Sequence, residues 1–310
     1  MVRAPLRVAL GGGGTDLPSY YREHGGLVVS TAIDRYVHMA VSSRFARRYV
    51  LKHLEWEEVD HPREVRHPIL RAALEHHWDG GAVELASVGD APPGTGLGSS
   101  GAYAVCSIKA LAALSGRELD THELAEAACH LEIELVGRSI GKQDQYAAAF
   151  GGVRAYEFRP DDTVDVRELA LPERMRAALS EEFLLLFTGR ARSASDILGA
   201  GQSEQAVHRL KRLAADTCAA LEAGDLDALA ELMQEHWDAK RLRSPGTVTP
   251  DMEDLREQAL RAGARGVISL GAGGGGFLLV YTPEPERTRA ALDVTELPFG
   301  LDSEGCTALR

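Results

Sequence analysis

The sequence predicts an α+β fold in two lobes, and two observations support this prediction. β-Branched and apolar runs of strand length dominate the first half of the 310 residues. Long amphipathic patterns with a few short apolar strands dominate the second half. The change falls within residues 159–182, a stretch with acidic residues and two prolines. We therefore expect one lobe over residues 1–170 and a second over residues 171–310.

The first lobe is expected to be built mainly from strands. Their signal is a run of β-branched and apolar residues bounded by turn-forming residues. These runs are 5–10, 27–33, 36–42, 48–54, 83–88 and 153–158. The runs 27–33 and 36–42 indicate a hairpin-like pair of strands.

Helices of the first lobe are indicated by apolar residues at helical spacing. They are expected over 67–78, 99–114 and 121–136, with a short helix after Lys142. Thr121 is the expected N-cap of the helix over 121–136, because a threonine hydroxyl can accept a hydrogen bond from a free amide.

The second lobe is expected to be mostly helical around a small sheet. Its strands are predicted over 183–187, 267–270 and 277–281. Its helices are predicted over 203–223, 225–241, 250–262 and 284–292. The sequence contains no internal repeat and no low-complexity tract.

Charge and hydropathy exclude two classes of partner. The formal net charge is −12, and 26% of the residues are charged. Such a chain lacks the basic surface of a nucleic-acid binder and is repelled by an anionic membrane, so we expect neither partner. No run of about 18 apolar residues occurs. The segment before the first glycines is too short for a signal peptide, and we expect a cytoplasmic protein.

Cysteine and histidine spacing predicts no structural metal or disulfide. Cys106, Cys129, Cys218 and Cys306 are widely scattered and form no C-x-x-C pair. Buried or inert thiols in a reducing compartment are the expected state. The eleven histidines form no H-E-x-x-H pattern, so the sequence predicts no structural zinc site.

The middle of three glycine clusters indicates a phosphate-binding loop. Pro92-Pro93-Gly94-Thr95-Gly96-Leu97-Gly98-Ser99-Ser100 follows a predicted strand and opens a predicted helix. Glycines let the backbone approach a ligand, and the helix start directs free amides toward it. Neither a Walker A loop nor a dinucleotide fingerprint fits, because Gly98 is followed by serine. A tight turn with a serine N-cap is the structural alternative.

The other two clusters also follow predicted strands. Gly11 to Gly14 precede Thr15 and Asp16, and Asp16 can accept hydrogen bonds from sugar hydroxyls. The alternative is a flexible turn with an aspartate cap. The third cluster, Gly271 to Gly276, lies between two apolar strands, either as a loop that approaches a ligand or as a simple turn.

A candidate base and cation stand outside the glycine clusters. Asp144 lies among polar residues near a helix start, where a carboxylate can orient an attacking hydroxyl and take its proton. Arg7 on the first strand can hold that carboxylate ionised. Glu132 or Glu134 could bind Mg²⁺. The alternatives are a helix cap for Asp144, a solvated strand residue for Arg7, and exposed helix carboxylates for the two glutamates.

Taken together, the three glycine boxes resemble the GHMP kinases, the family of galactokinase, homoserine kinase and mevalonate kinase. The boxes are Ala4 to Asp16, Pro92 to Ser100, and Gly271 to Phe277, in the family's order. The resemblance implies an N-terminal lobe like ribosomal protein S5 domain 2 and a ferredoxin-like C-terminal lobe. Gly141-Lys142-Gln143-Asp144-Gln145 looks most like the branch that phosphorylates D-glycero-D-manno-heptose 7-phosphate.

The resemblance assigns roles by motif position. Asp144 is the implied base with Arg7 as its cationic partner, and Ser100 with Glu132 is the implied Mg²⁺ site. Glu132 is preferred to Glu134 because galactokinase-like members place this glutamate twelve residues before the base. The implied ATP-binding residues are Pro93, Gly94, Thr95, Gly96, Leu97, Gly98, Ser99 and Ser100. The implied substrate-binding residues are Gly12, Gly13, Gly14, Thr15, Asp16, Lys142, Gln143, Arg192, Gly273 and Gly274.

The implied reaction is transfer of the ATP γ-phosphoryl group to the anomeric hydroxyl of the heptose 7-phosphate, giving a 1,7-bisphosphate. Arg190, Arg192 and Ser193 offer cations and a hydroxyl for the substrate phosphate, or are ordinary loop residues. Gly101 and Arg138-Ser139-Ile140 depart from the family pattern and leave the exact sugar open. The implied partners are ATP and a small sugar phosphate, and a homodimer is one compatible assembly.

Three other functions remain as alternatives. The first is a kinase of fucose, galactose or an unphosphorylated heptose. The second is a catalytically inactive sugar sensor, which the presence of Arg7, Ser100, Glu132 and Asp144 disfavours. The third is a nucleotide-binding oxidoreductase, which the missing dinucleotide spacing disfavours.

Overall fold

An eight-stranded sheet forms the first layer of the computed structural model, which describes residues 1–45, 47–191, 203–244 and 246–309. Its strands are β1 (Val2–Gly11), β2 (Gly26–Ser43), β3 (Tyr49–Lys52), β4 (Trp56–Val59), β5 (Val83–Gly89), β6 (Val153–Phe158), β7 (Val164–Glu168) and β11 (Thr307–Ala308). The strand order is β11-β1-β2-β5-β3-β4, and β6 joins β2 on one side and β7 on the other. Only β3 and β5 pair in parallel among these strands of the described chain.

Strand β2 corrects the predicted hairpin, because residues 26–43 form one continuous strand. Its first half pairs with β6 and its second half with β5, while β1 runs along the other edge. A register shift between Pro5 and Leu6 absorbs Asp34 and Arg35, which lie between the two strands predicted as a hairpin. The amide of Gly300 donates to the Asp34 carboxylate at 2.7 Å, and the Asp34 amide donates to the carbonyl of Gly300 at 3.0 Å. The C-terminal segment therefore satisfies the irregular part of the strand.

Five helices accompany the first sheet in the described part of the chain. They are α1 (Pro18–His24), α2 (Pro68–His77), α3 (Ser99–Leu114), α4 (Thr121–His130) and α5 (Gln143–Phe150). Helix α3 is apolar on most of its surface and is largely buried, as expected of a helix packed on several sides. It contacts β1, β2, α2, α4 and α5. Its central position fixes the loop that precedes it.

The start of α4 differs by one residue from the prediction. Asp120, not Thr121, is the N-cap: its side chain accepts from the Glu123 amide at 2.8 Å. The Glu123 carboxylate accepts from the Asp120 amide at 3.1 Å, which completes a capping box. After His130 the helix continues as a π-helical turn over Leu131–Leu135. Such turns are frequent at functional sites, and this one carries Glu132.

A three-stranded antiparallel sheet, with strand order β8-β10-β9, organises the second half. Its strands are β8 (Phe183–Phe187), β9 (Gly266–Ser269) and β10 (Phe277–Tyr281). The accompanying helices are α6 (Glu173–Glu181), α7 (Glu204–Ala223), α8 (Leu226–Arg243), α9 (Pro250–Arg261) and α10 (Pro285–Ala291). The predicted α+β class is confirmed, and the division at residue 170 stays a prediction.

The two halves are joined by shared packing as well as by the chain. Helix α7 contacts β1 and β2 of the first sheet, and β11 brings the end of the chain back to β1. Cys106, Cys129 and Cys218 are buried free thiols, and Cys306 is half-buried and also free. Within the described residues, every helix is too short or too polar to cross a membrane.

The corrected cap of α4 gives a stability prediction. Asp120→Ala removes the acceptor for the Glu123 amide and should lower the free energy of unfolding by about 1 kcal/mol. Thr121→Ala is the matched control at an exposed neighbour and should change it by less than about 0.5 kcal/mol. Urea unfolding followed by circular dichroism measures both. A larger loss of unfolding free energy for Thr121→Ala than for Asp120→Ala would show that Thr121 is the N-cap.

Candidate active site

Residues of all three glycine clusters line one cavity of about 1010 Å³. Thirteen of the residues to which the family resemblance assigns a role line it. They are Arg7, Gly13, Gly14, Asp16, Pro93, Gly94, Gly96, Gly98, Ser99, Ser100, Gln143, Asp144 and Gly273. The fold therefore brings together segments that are more than 250 residues apart in the chain.

The middle glycine cluster ends as a cradle at the start of α3. Gly94, Gly96 and Gly98 all have φ near +80°, in the left-handed region that glycine tolerates. Gly98 is the N-cap of α3, so the first amides of the helix point into the cavity beside Ser99 and Ser100. Free amides and the positive end of the helix dipole favour an anion here.

The third cluster packs against the middle cluster. A Cβ on Gly271 would lie 2.6 Å from the Gly96 Cα, and one on Gly276 would lie 2.2 Å from the carbonyl oxygen of Thr95. The amide of Phe277 donates to that same carbonyl at 3.1 Å. Neither contact leaves room for a side chain, so Gly271 and Gly276 allow the two loops to pack closely, and Gly271 also lines the cavity.

Arg7 and Asp144 form an ion pair at the floor of the cavity. The Nε and Nη2 atoms of Arg7 donate to Asp144 Oδ1 at 2.8 and 2.6 Å, and Nη1 donates to the carbonyl of Gly96. The Arg7 side chain is 3% exposed and that of Asp144 is 24% exposed. Both bonds converge on Oδ1, and within the described residues Oδ2 accepts none. Asp144 thus presents a free carboxylate oxygen to the cavity.

Two glycines make room for this pair. A Cβ on Gly98 would lie 3.0 Å from Arg7 Cγ and 3.3 Å from Asp144 Cγ. One on Gly101 would lie 2.6 Å from the Asp144 Cβ, because α3 and α5 cross closely at this point. The departure from the family pattern at Gly101 therefore has a packing reason: α5 can approach α3 only where no side chain intervenes.

Asp16 connects the first glycine cluster to the start of α5. Its Oδ1 accepts from the Gly14 amide at 3.0 Å and its Oδ2 from the Gln143 amide at 3.2 Å. Burial, together with the nearby charge of Asp144, raises the pKa of this carboxyl. A carboxylate has about four lone-pair sites, so both oxygens retain capacity for a ligand.

Arg243 is the main site residue that the sequence analysis missed. It ends α8, is 2% exposed, and lines the cavity. Its Nη1 donates to the carbonyl of Gly13 at 3.1 Å and its Nη2 to that of Ala272 at 3.0 Å, so it connects the first and third clusters. Burial lowers the pKa of Arg243 to about 10, and the charge of Asp16 opposes that shift. Its signal, a basic residue at a helix end, is too common to identify a site.

A magnesium ion would be held through Ser100 and Glu132, according to the family resemblance. Glu132 is fully buried, and its oxygens accept from Arg138 Nη1 at 2.9 Å and Gln145 Nε2 at 2.7 Å. Burial raises the pKa of Glu132, while Arg138 and side-chain hydrogen bonds with Ser100 and Gln145 oppose the shift. One carboxylate beside one hydroxyl is a donor set that suits Mg²⁺ bound mainly through phosphates and water. The two residue types fit the ion chemically, but only Ser100 lines the cavity; Glu132 is buried outside that lining, and Arg138 and Gln145 already donate to its two oxygens.

Several predicted site residues do not face the cavity. Lys142 is the clearest correction: its Nζ donates to Glu126 at 3.0 Å and to the carbonyl of Asp162 at 2.9 Å, so its charge is used on the far side of α5. Arg190 pairs with Asp251 at 2.7 Å and does not line the cavity. Arg192 and Ser193 lie outside the described residues.

The remaining predicted residues support the loops from behind. The Thr15 hydroxyl exchanges hydrogen bonds with the backbone of Leu27. The Gly274 amide donates to the carbonyl of Thr247 at 2.8 Å. Gly12, Thr95 and Leu97 likewise do not line the cavity, and Thr95 and Leu97 are fully buried.

The far end of the cavity is less polar and contains aromatic rings. Ile69, Val88 and Pro92 line it together with His53, His67 and Tyr103. The His67 ring lies 4.8 Å from that of Tyr103 and 5.0 Å from that of His53, measured between centroids. Burial, with help from the charges of His53 and Arg138, lowers the pKa of His67 to about 4, so its ring is neutral at pH 7. This end suits a flat heterocycle.

Two family models match the chain. Residues 66–152 match the GHMP kinases N terminal domain, and residues 218–297 match the GHMP kinases C terminal domain. Together these matches cover more than half of the chain. The first contains the middle glycine cluster with Glu132 and Asp144, and the second contains Arg243 and the third cluster.

Named proteins align over most of the chain. It is 29% identical over 307 residues to the D-glycero-alpha-D-manno-heptose 7-phosphate kinase of Campylobacter jejuni, covering 92% of this chain and 90% of that protein. It is 25% identical to the L-fucokinase/L-fucose-1-P guanylyltransferase of Bacteroides fragilis, covering 92% of this chain and 34% of that protein.

Solved structures share the fold along the whole chain. A D-glycero-D-manno-heptose 1-phosphate kinase from Bacteriodes thetaiotaomicron superposes with a TM-score of 0.82 at 27% identity, covering 99% of this chain and 98% of the other. A galactokinase of Lactococcus lactis, complexed with galactose, superposes with a TM-score of 0.78 at 18% identity and supports the fold alone.

Gly12 and Gly13 give a stability prediction with a built-in control. A Cβ on Gly12 would lie 1.9 Å from the carbonyl oxygen of Leu27, at a φ of +81°. Gly12→Ala should therefore lower the free energy of unfolding by about 1–3 kcal/mol or more. On Gly13 the nearest atom to a Cβ is Gln143 Nε2 at 3.9 Å, so Gly13→Ala should change it by less than about 0.5 kcal/mol.

Chemical denaturation of the two glycine variants measures this difference. Equal losses would mean that the first cluster does not pack as described.

Proposed function

Since the chain belongs to the GHMP kinases, and is thus a phosphotransferase with a hydroxyl acceptor, we propose that its acceptor is a heptose phosphate. The observation that carries the proposal is the cavity itself. It is lined by the glycine loop at the start of α3, by the carboxylate of Asp144 and by the buried Arg243. The first two serve phosphoryl transfer, and the third serves an anionic acceptor.

ATP is proposed to lie with its phosphates on the loop from Pro93 to Ser100. The α3 amides and the hydroxyls of Ser99 and Ser100 supply the donors that a polyphosphate requires. The less polar end beside His67 and Tyr103 is the proposed position of the base, since stacking on neutral rings needs no counter-charge. Mg²⁺ held near Ser100 and Glu132 would neutralise charge on the phosphates.

Asp144 is proposed to receive the acceptor hydroxyl at Oδ2. Arg7 uses two of its donors on Oδ1, which fixes the orientation of the carboxylate. The free oxygen can then orient the attacking hydroxyl and take its proton. Asp16 and Gln143 line the same part of the cavity and offer hydrogen bonds to neighbouring hydroxyls of a sugar.

Arg243 is proposed to attract the phosphate that the acceptor already carries. Among the described residues it pairs with no carboxylate at salt-bridge distance, so its charge is balanced only by carbonyl oxygens and by Asp16 at longer range. A buried cation in this state favours an anion nearby. The backbone of Gly13 and Gly273 lines the cavity beside it. Arg192 remains a further candidate for the same role.

The specific substrate proposed is D-glycero-D-manno-heptose 7-phosphate, phosphorylated at the anomeric hydroxyl. Similarity to the Campylobacter jejuni enzyme of that name supports this sugar. The Bacteriodes thetaiotaomicron neighbour is named as a kinase of a heptose 1-phosphate, so its similarity supports a heptose phosphate as the acceptor, while the anomeric position rests on the family resemblance alone. A buried cation at the acceptor end favours a phosphorylated sugar over fucose or galactose.

Replacement of the proposed base gives a kinetic prediction. Asp144→Asn keeps the shape and the contact with Arg7 but removes the charge. We expect kcat to fall about 10²–10⁴-fold, toward the low end because positioning dominates loose phosphoryl transfer. Affinity for ATP should change little. Steady-state ADP release and nucleotide titration measure the two quantities.

The matched control for Asp144→Asn is Asp251→Asn, at an exposed aspartate that pairs with Arg190 outside the cavity. It should retain the wild-type kcat. An Asp144→Asn enzyme with near wild-type turnover would remove Asp144 from the mechanism.

The acceptor phosphate is tested by comparing kcat/KM for the heptose with and without its 7-phosphate. We expect kcat/KM to be higher for the phosphorylated heptose by about 10²-fold or more. Arg243→Met should reduce that ratio to below about 10, whereas Arg190→Met, at a paired arginine outside the cavity, should preserve it. Arg243→Lys keeps the charge and serves if the methionine variant does not fold.

NMR of the product locates the new phosphate in the same experiment. Equal efficiency on both sugars would refute the phosphorylated acceptor while leaving the kinase assignment intact. Absence of ADP release with every sugar tried would instead support the inactive sensor.

A further inference from the structure

Two histidines and a glutamate meet on the surface where α1 packs against α7. His24 Nε2 lies 2.8 Å from Glu204 Oε1, and His208 Nε2 lies 3.6 Å from the same oxygen. One ligand atom from each of the three residues lies within 4.8 Å of the others. This spacing is close to that of atoms bound to one transition-metal ion, where ligands at about 2.0 Å from the metal are a little over 3 Å apart.

Tyr20 orients one of the imidazoles from behind. Its hydroxyl lies 2.6 Å from His208 Nδ1. When Nδ1–H donates to the tyrosine oxygen, the lone pair of Nε2 faces Glu204 and His24. Metal-binding histidines usually have such a partner on the second nitrogen, because it fixes the tautomer and the ring plane. The hydrogen bond with Tyr20 therefore gives the cluster a feature that is typical of metal sites and that a surface ion pair does not require.

A second cavity, of about 540 Å³, opens beside the cluster. His24, Glu204, Tyr20 and Glu23 all line it, so an ion and its remaining water ligands have access. The Glu23 carboxylate lies 3.9 Å from His24 Nε2, beside the cluster. The cavity is separate from the proposed active site but shares walls with it at Leu17, Arg138 and Ile140.

We propose that His24, Glu204 and His208 form a binding site for a zinc-class divalent ion, distinct from the magnesium site of the kinase reaction. Two imidazoles and one carboxylate suit Zn²⁺, Co²⁺ or Ni²⁺. Mg²⁺ is a poor occupant, because it prefers oxygen ligands in near-ideal octahedral geometry. The ion would join α1, which begins two residues after Asp16, to α7, which supports the first glycine cluster from below.

A short sequence motif could not reveal this site, because its ligands come from distant segments of the chain. Glu204 and His208 are four residues apart and so share one face of α7. The third ligand lies 180 residues earlier, on a helix that the sequence pattern did not predict. The fold, and not a motif, brings the three together.

The experiment titrates tag-free, EDTA-treated and desalted full-length protein with ZnCl₂ by isothermal calorimetry. A melting scan with equimolar Zn²⁺, and the visible absorption spectrum with CoCl₂, accompany it. We expect one saturable site per chain, a raised Tm, and a cobalt spectrum of four- or five-coordinate type. Millimolar MgCl₂ should not displace the ion. Binding should weaken as the solution is acidified, because protons and the metal ion compete for the same ligand atoms.

Ligand variants and a matched control decide the outcome. His208→Gln and Glu204→Gln should each abolish the site, and Tyr20→Phe should weaken it by about 10–100-fold while leaving the stoichiometry unchanged. His76→Ala, at an exposed histidine outside the cluster, should bind like the wild type. The proposal would be overturned if the protein showed no saturable binding of Zn²⁺, or if His208→Gln and His76→Ala bound Zn²⁺ equally. Either result would show that the three residues form only a hydrogen-bonded ion pair.

Discussion

The buried ion pair between Arg7 and Asp144 constrains most of the site. A guanidinium removed from water needs oxygen acceptors nearby, and Arg7 finds them by donating from Nε and Nη2 to Asp144 and from Nη1 to the carbonyl of Gly96. The pair fixes β1 against the start of α5 and against the loop before α3. Removing either partner would leave an uncompensated charge at a cost of about 3–5 kcal/mol. The same contact therefore serves both stability and the proposed chemistry.

The glycine clusters have two roles that the structure separates. Gly12, Gly96, Gly271 and Gly276 are required because another backbone or carbonyl occupies the place of a side chain. Gly13 has open space in front of it and is available to a ligand. Arg243 completes the arrangement, since its two Nη atoms connect the first cluster to the third. Loops that glycine makes flexible as isolated segments are thus held by mutual contact.

Much of this architecture could be predicted from local sequence. The strands at 153–158, 183–187 and 277–281 have the predicted bounds, because continuous apolar runs between turn residues have few alternatives. The predicted hairpin at 27–42 was wrong, because the pairing of Asp34 with Gly300, 266 residues later, decides that backbone. Arg243 and Lys142 show the same limit. Which partner a buried cation meets depends on tertiary packing, and neither spacing nor composition encodes it.

The central claim is that Arg7 acts on the reaction through Asp144, and a double-mutant cycle on kcat tests it most directly. The cycle compares Arg7→Met, Asp144→Asn and the double variant, at a temperature where all remain folded by circular dichroism. If Arg7 acts only by positioning the Asp144 carboxylate, kcat of the double variant should be about equal to that of the slower single variant. Two losses that multiply would show that the residues act independently, and would contradict the account.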